Sequence, residues 1–167
     1  MPKKEKTVKQ ISLAAIMSAL VAVATVIVQI PLGVSGYFNL GDVMIFVAAL
    51  TFNPLVGGVA GGLGSALADL ASPYPMYAPF TFIIKGLEGS IAGLITNKAS
   101  IFRDVFAVVI AGAEMIVGYF LVDTYLSGVG NALTWIPFNT LQIFVGGLIG
   151  VPIALILRGR LPELFRI

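Results

Sequence analysis

Long apolar runs separated by short polar breaks leave this chain few ways to fold in water. Ile11 to Ile30 carries no charged side chain, and a helix of about 20 such residues crosses the ~30 Å hydrocarbon core of a bilayer. Comparable runs recur to the end of the sequence. Of 167 residues, 58% are apolar and only 11% charged, and the mean hydropathy is +1.01, values outside those of an ordinary water-soluble domain. Six spans use roughly 120 residues, which leaves room for short loops and for no additional folded domain. The expectation is an all-α integral membrane protein, one six-helix domain over residues 1–167.

The breaks give the boundaries. Pro31, Gly33 and Gly36 end the first run, Asn53-Pro54 makes a tight turn, and Ser72 to Pro75 with Pro79 forms a further loop. Asn97 to Arg103 is polar, and Asp123 to Trp135 contains the turn formers Ser127, Gly128, Gly130 and Asn131. Spans are therefore expected at about 10–30, 42–53, 55–71, 79–96, 104–122 and 136–157, the second too short to cross alone. The first run exceeds the h-region of a signal peptide, and no small-x-small cleavage site followed by a soluble domain accompanies it.

Six spans place Lys3, Lys4, Lys6, Lys9, Lys98, Arg103, Arg158, Arg160 and Arg166 on one side, and the loops of the other side hold no Lys or Arg. The positive-inside rule then puts both termini in the cytoplasm. The net charge of +2 gives no electrostatic case for nucleic acid. Small-xxx-small pairs, among them Gly57/Gly61, Gly89/Gly93, Gly146/Gly150, Ala15/Ala19 and Ser18/Ala22, offer flat faces for helix contacts inside the chain or with a partner.

The tenth basic residue, Lys85, lies within a span, as do Glu88 and Glu114. A charge at the bilayer centre costs about 2.5–3.5 kcal/mol on insertion scales, so such groups face a protein interior or a wet cavity. Counting ~1.5 Å per residue from the helix ends puts the three at similar depths, nearer the outer surface. Asn39, Asp42, Asp69, Asn139 and Gln142 gather toward that side with the rings of Tyr37, Phe38, Tyr74, Tyr77, Phe80, Trp135 and Phe138. An outward-opening cavity with a few polar groups and stacking rings suits a small planar heterocycle. Interfacial belt positions for the rings, a purely structural Lys85–Glu88 pair and a helix-capping role for Asp42 explain the same residues without a ligand.

The segments Gly36 to Asp42 (GYFNLGD), Asn53 to Asp69 (NPLVGGVAGGLGSALAD) and Tyr77 to Gly89 (YAPFTFIIKGLEG) resemble the substrate-binding S components of energy-coupling factor (ECF) transporters. The resemblance implies a six-helix protein that captures a vitamin from outside, and extends in length and layout over nearly the whole chain. It implies a docking face for a membrane-embedded coupling subunit at Ala15 and Ala19, extended by Ser18 and Ala22, and a lid over Pro31 to Leu40. Lys85, Glu88 and Asp69 become the leading substrate-binding candidates, then Glu114, with Asn39, Asp42, Asn139, Tyr37, Tyr74, Tyr77 and Trp135 as lid or stacking candidates. The family's cobalt and nickel members use an amino-terminal histidine, absent here, so no metal site and no cofactor are expected.

No phosphate-binding Gly-x-x-x-x-Gly-Lys-Ser/Thr loop occurs, so uptake would depend on the coupling subunit and two ATPase subunits that the resemblance implies, the S component toppling in the bilayer. Riboflavin, pyridoxine and hydroxymethylpyrimidine all suit the candidate groups, while outer loops without basic residues argue against an anion such as folate. An ATPase-independent carrier or oligomeric channel is the alternative. Enzyme chemistry is disfavoured: with no His or Cys, a Ser/His pair, an HExxH zinc site and a thiolate nucleophile are all excluded.

Overall fold

Asn53-Pro54 sets the geometry of the centre of the molecule. Asn53 is the N-cap of the helix that follows, its side chain accepting from Val56 N at 2.9 Å, and Pro54 occupies the first turn. The preceding helix must therefore reverse within two residues. The computed structural model describes residues 3–31 and 37–160. The helices are α1 (Lys3–Ile27), α2 (Gly41–Thr51), α3 (Pro54–Leu70), α4 (Ala78–Ile95), α5 (Ile101–Ser127) and α6 (Val129–Arg160). A two-residue antiparallel pair, β1 (Ile30–Pro31) with β2 (Tyr37–Phe38), precedes α2, and a 3₁₀ turn, Pro75–Tyr77, leads into α4. The middle of the expected lid, residues 32–36, lies outside the described residues, as does Arg166.

The fold is all-α, as expected. Four helical segments, beginning at Lys4, Pro75, Ile101 and Val129, are long and apolar enough to cross a membrane; α2 and α3 are shorter apolar helices. At 11 residues α2 is only ~16 Å long, and its side chains are almost entirely buried. It forms the axis of the bundle. Phe46 and Leu50 pack with Met115, Ala111 and Ile143 of α5 and α6, while Ile45 and Val47 pack with Met17, Val21 and Val56 of α1 and α3. The outward faces carry Ile16, Leu20, Leu63, Ile83, Val109 and Leu148, all exposed, as suits helices whose solvent is lipid.

Glycine makes the α3–α4 contact possible. A Cβ on Gly61 would run into the Lys85 carbonyl oxygen, and one on Gly57 would lie 2.7 Å from the Gly89 carbonyl oxygen. Gly93 similarly abuts Pro54, and Gly146 and Gly150 abut α2 at Asp42, Val43 and Phe46. These small-residue pairs are thus contacts within the chain. The pair Ala15 and Ala19 is different, since both are exposed. Ser18 turns inward, donating to Ala14 O at 2.8 Å and Val59 O at 3.3 Å, and Ala22 is half-buried.

Two boundaries depart from expectation. The first helix begins at Lys3, since nothing in the basic segment breaks it. The expected loop from Asp123 to Trp135 is helical except at Gly128, whose φ of +87° separates α5 from α6. Here tertiary burial outweighs turn propensity: Asp123, Ala132 and Trp135 are buried, and Ala132 N donates to Gly128 O at 3.2 Å.

The two ends of the bundle are chemically distinct. At the end where α1 begins and α6 finishes, Asp104 is fully buried, accepting from Thr96 and paired with Arg158. Lys98 donates to Phe52 O, and Arg103 donates to Ile95 O through Nε and Nη2 at 3.1 and 2.8 Å. These bonds satisfy carbonyls at the ends of α2 and α4 that helix geometry leaves open.

Candidate functional site

At the opposite end, the turn of α2 and the third helical turn of α4 bring charges together. Lys85 is 3% exposed and Glu88 and Asp42 no more than 1%. The Lys85 ammonium lies 2.5 Å from Asp42 Oδ1 and 2.9 Å from Glu88 Oε2. One cation therefore serves two carboxylates. Gln142 Nε2 donates to Asp42 Oδ2 at 3.1 Å, and its Oε1 accepts from Asn39 N and Nδ2 at 3.3 and 3.1 Å. Asn39 Oδ1 in turn accepts from Gly41 N at 2.8 Å. This network ties α2, α4, α6 and the segment after β2 into one polar core. The capping role considered for Asp42 is not seen: no side chain caps α2, and the carboxylate faces Lys85.

Above this core lies a cavity lined by Lys85, Gln142, Asn39 and Asn139 below and by Tyr37, Tyr74, Tyr77, Tyr119 and Trp135 around the walls. Two aspartates reach it, each holding a phenol: Tyr37 OH donates to Asp69 Oδ1 and Tyr77 OH to Asp123 Oδ1, both at 2.8 Å. Burial, with the Asp69 charge second, pushes the Tyr37 phenol well above its usual range, so it remains a donor. The Tyr37 and Tyr74 rings lie 5.8 Å apart and tilted, within the range of favourable aromatic pairs. Tyr119 donates to Thr81 Oγ1 at 3.1 Å, and its ring sits 5.7 Å from the Lys85 ammonium, a cation–π distance.

Among the described residues that line the cavity, one buried acceptor is left over. Asp69 Oδ2 is buried and has no hydrogen-bond partner among the described residues. The nearby Thr81 hydroxyl accepts from Tyr119 and keeps its own proton free to turn toward Asp69. The cavity volume is about 80 Å³.

Nine of the eleven substrate-binding candidates gather here. Lys85, Asp69, Asn39, Tyr37, Tyr74, Tyr77, Trp135 and Asn139 line the cavity, and Asp42 supports it from beneath. Glu88 and Glu114 do not line it: Glu88 lies behind Lys85 as its ion-pair partner, and half-buried Glu114 lies on α5 near enough to interact with its charge. The lining also contains Thr25, Ser65, Thr81, Tyr119, Asp123 and Gln142, which were not among the candidates. Helical spacing gave a signal for two of these. Ser65 and Thr81 precede Asp69 and Lys85 by four residues and share their faces. Among the described residues no cluster of metal-ligating side chains forms.

A helical bundle with long apolar outer faces, enclosing a small aromatic cavity with convergent polar groups, defines a membrane-embedded small-molecule-binding protein. Residues 5–159 match the family model of the ECF-type riboflavin transporter S component, and the chain belongs to that family. It is 42% identical over 143 residues to an uncharacterised protein of Pyrococcus woesei, covering 84% of this chain and 96% of that one. It is also 32% identical over 143 residues to the thiamine precursor transporter HmpT of Lactococcus lactis, covering 84% of this chain and 82% of the relative.

Proposed function

We propose that this S component captures a neutral single-ring heterocycle bearing an amino group, of the hydroxymethylpyrimidine type, and delivers it to an ATP-driven coupling module. The observation that carries this reading is the buried Asp69 Oδ2, which no described residue bonds at hydrogen-bond distance, in a cavity walled by rings. A buried carboxylate oxygen needs a donor, and a ring amino group supplies one while the ring face lies against Tyr37, Tyr74 or Trp135. The small cavity favours one ring over three, and the HmpT relative is named for a thiamine precursor.

Orientation follows from charge. With the basic end in the cytoplasm, the cavity opens to the outside, and segments β1 and β2 form the arms of a lid across it. The exposed Ala15 and Ala19 face of α1 receives the coupling subunit, which brings two ATPase subunits. Riboflavin is the second reading, favoured by the family description; it requires the lid side to open around a larger ring system.

Calorimetry on the purified protein with hydroxymethylpyrimidine and riboflavin separates the two. The expected result is tighter binding of the pyrimidine by at least tenfold, and mass spectrometry of co-purified ligand finding riboflavin instead would overturn it. Uptake into vesicles that lack ATPase subunits would replace the S-component reading with an independent carrier.

A further inference from the structure

Outside the cavity, an apolar groove of about 590 Å³ lies between α5 and α6. Val105, Val109 and Ala113 form one wall, and Phe144, Leu148 and Pro152 the other. Its only hydroxyl, Thr140, is spent on its own helix, donating to Ile136 O at 2.7 Å. No described side chain fills it. From Val105 to Ile116 the groove runs ~16 Å along α5, about half of the ~30 Å hydrocarbon core. It begins at the basic end and stops near mid-helix.

The end of the bundle at which the groove begins is rich in cations among the described residues. Arg158 follows Val151, a lining residue, by seven positions on the same face of α6. Its side chain is nine-tenths buried, Nη2 pairs with Asp104, and Nη1 has no hydrogen-bond partner among the described residues. Lys98 lies close enough to Arg158 that, after burial, this second cation also lowers its pKa. Arg103 and Arg160 stand at the same end, where Asp104 is the one carboxylate among the described residues of α4 to α6. An unpaired guanidinium N–H in a cationic setting seeks an acidic oxygen.

We propose that this groove holds one acyl chain of an anionic phospholipid, whose phosphate accepts from Arg158 Nη1 and lies between Arg158 and Lys98. The groove supplies a single-leaflet apolar track, and the cations supply selection for a negative headgroup. A free phosphate would have no use for the track, and a neutral lipid none for the cations. Seated there, the lipid would complete the α5–α6 face on which Asp123, Trp135, Asn139 and Gln142 of the cavity also depend.

The test is native mass spectrometry of the intact protein released from nanodiscs of equal phosphatidylglycerol and phosphatidylcholine. One phosphatidylglycerol should be retained in at least tenfold preference. Ala113→Trp, which fills the groove from an exposed position, should abolish retention of either lipid. The double substitution Asp104→Asn with Arg158→Gln removes both members of the ion pair and should erase the preference. Circular dichroism checks folding, and Ala113→Trp stands alone if the double variant does not fold. Equal retention of the two lipids by the unaltered protein, or retention unchanged in Ala113→Trp, would overturn the proposal. So would a two-chain species lost in Ala113→Trp, which would assign the face to a second copy.

Discussion

Asp69 and Lys85 both line the cavity, yet they answer different questions when removed. Asp69 has one oxygen held by Tyr37 and one without a partner among the described residues, so it has capacity for a ligand without being needed to balance a buried cation. Asp69→Asn keeps the shape and an acceptor but loses the charge. Hydrogen bonds to charged groups contribute about 1.5–3 kcal/mol, so calorimetry should show binding weakened by roughly tenfold to a hundredfold, with thermal unfolding in detergent little changed. Lys85 behaves otherwise, because two buried carboxylates rest on one ammonium. Lys85→Ala leaves both uncompensated, a loss that costs about 3–5 kcal/mol for a broken buried pair. The melting temperature should fall sharply, and an unchanged melting temperature would remove the network from the stability of the fold. The sequence pattern pointed to Lys85 and Glu88 by their spacing of three on a helix, and that ion pair exists. It concealed the shorter contact with Asp42, because 43 residues separate the partners and no local periodicity records such a distance.

At the scale of elements, what local sequence encodes and what tertiary packing imposes can be separated at Gly128. Asp123 to Trp135 reads as a polar turn because Ser, Gly and Asn favour turns. Yet α5 and α6 run nearly into each other, since Asp123 meets Tyr77 and Trp135 closes a wall of the cavity. All the reversal falls on one residue with φ +87° and ψ +157°, a region that is nearly glycine-only. Gly128→Ala should therefore cost about 1–3 kcal/mol, although nothing lies within 4 Å of where the new Cβ would stand. Thermal unfolding reads that cost, and because Asp123 and Trp135 flank the hinge, ligand affinity should fall with it. Stability equal to the unaltered protein would show that the junction relaxes freely. The Asn53-Pro54 turn is the contrasting case: cap and proline are adjacent in sequence, so this boundary was legible from residues alone.

For the whole molecule, burial sorts the small-residue pairs that spacing left equivalent. Gly57, Gly61, Gly89 and Gly93 are consumed by α3 and α4 packing against each other, while Ala15 and Ala19 remain exposed beside Ile16 and Leu20. Only the latter pair is available to another chain, and small side chains let a partner helix approach closely. Substituting both alanines with Trp adds bulk to a surface that supports nothing inside the fold. The cavity lies at the far end of α1, beyond Thr25, so binding by the isolated protein should keep its affinity within about twofold, as independent distant sites do. Uptake by cells carrying the coupling subunit and ATPases should be lost, and so should co-purification of the coupling subunit. Retained uptake would detach the α1 face from docking, while lost binding would mean that α1 reports to the cavity through Thr25. The two measurements together thus distinguish a surface used by a partner from a helix that holds the site in shape.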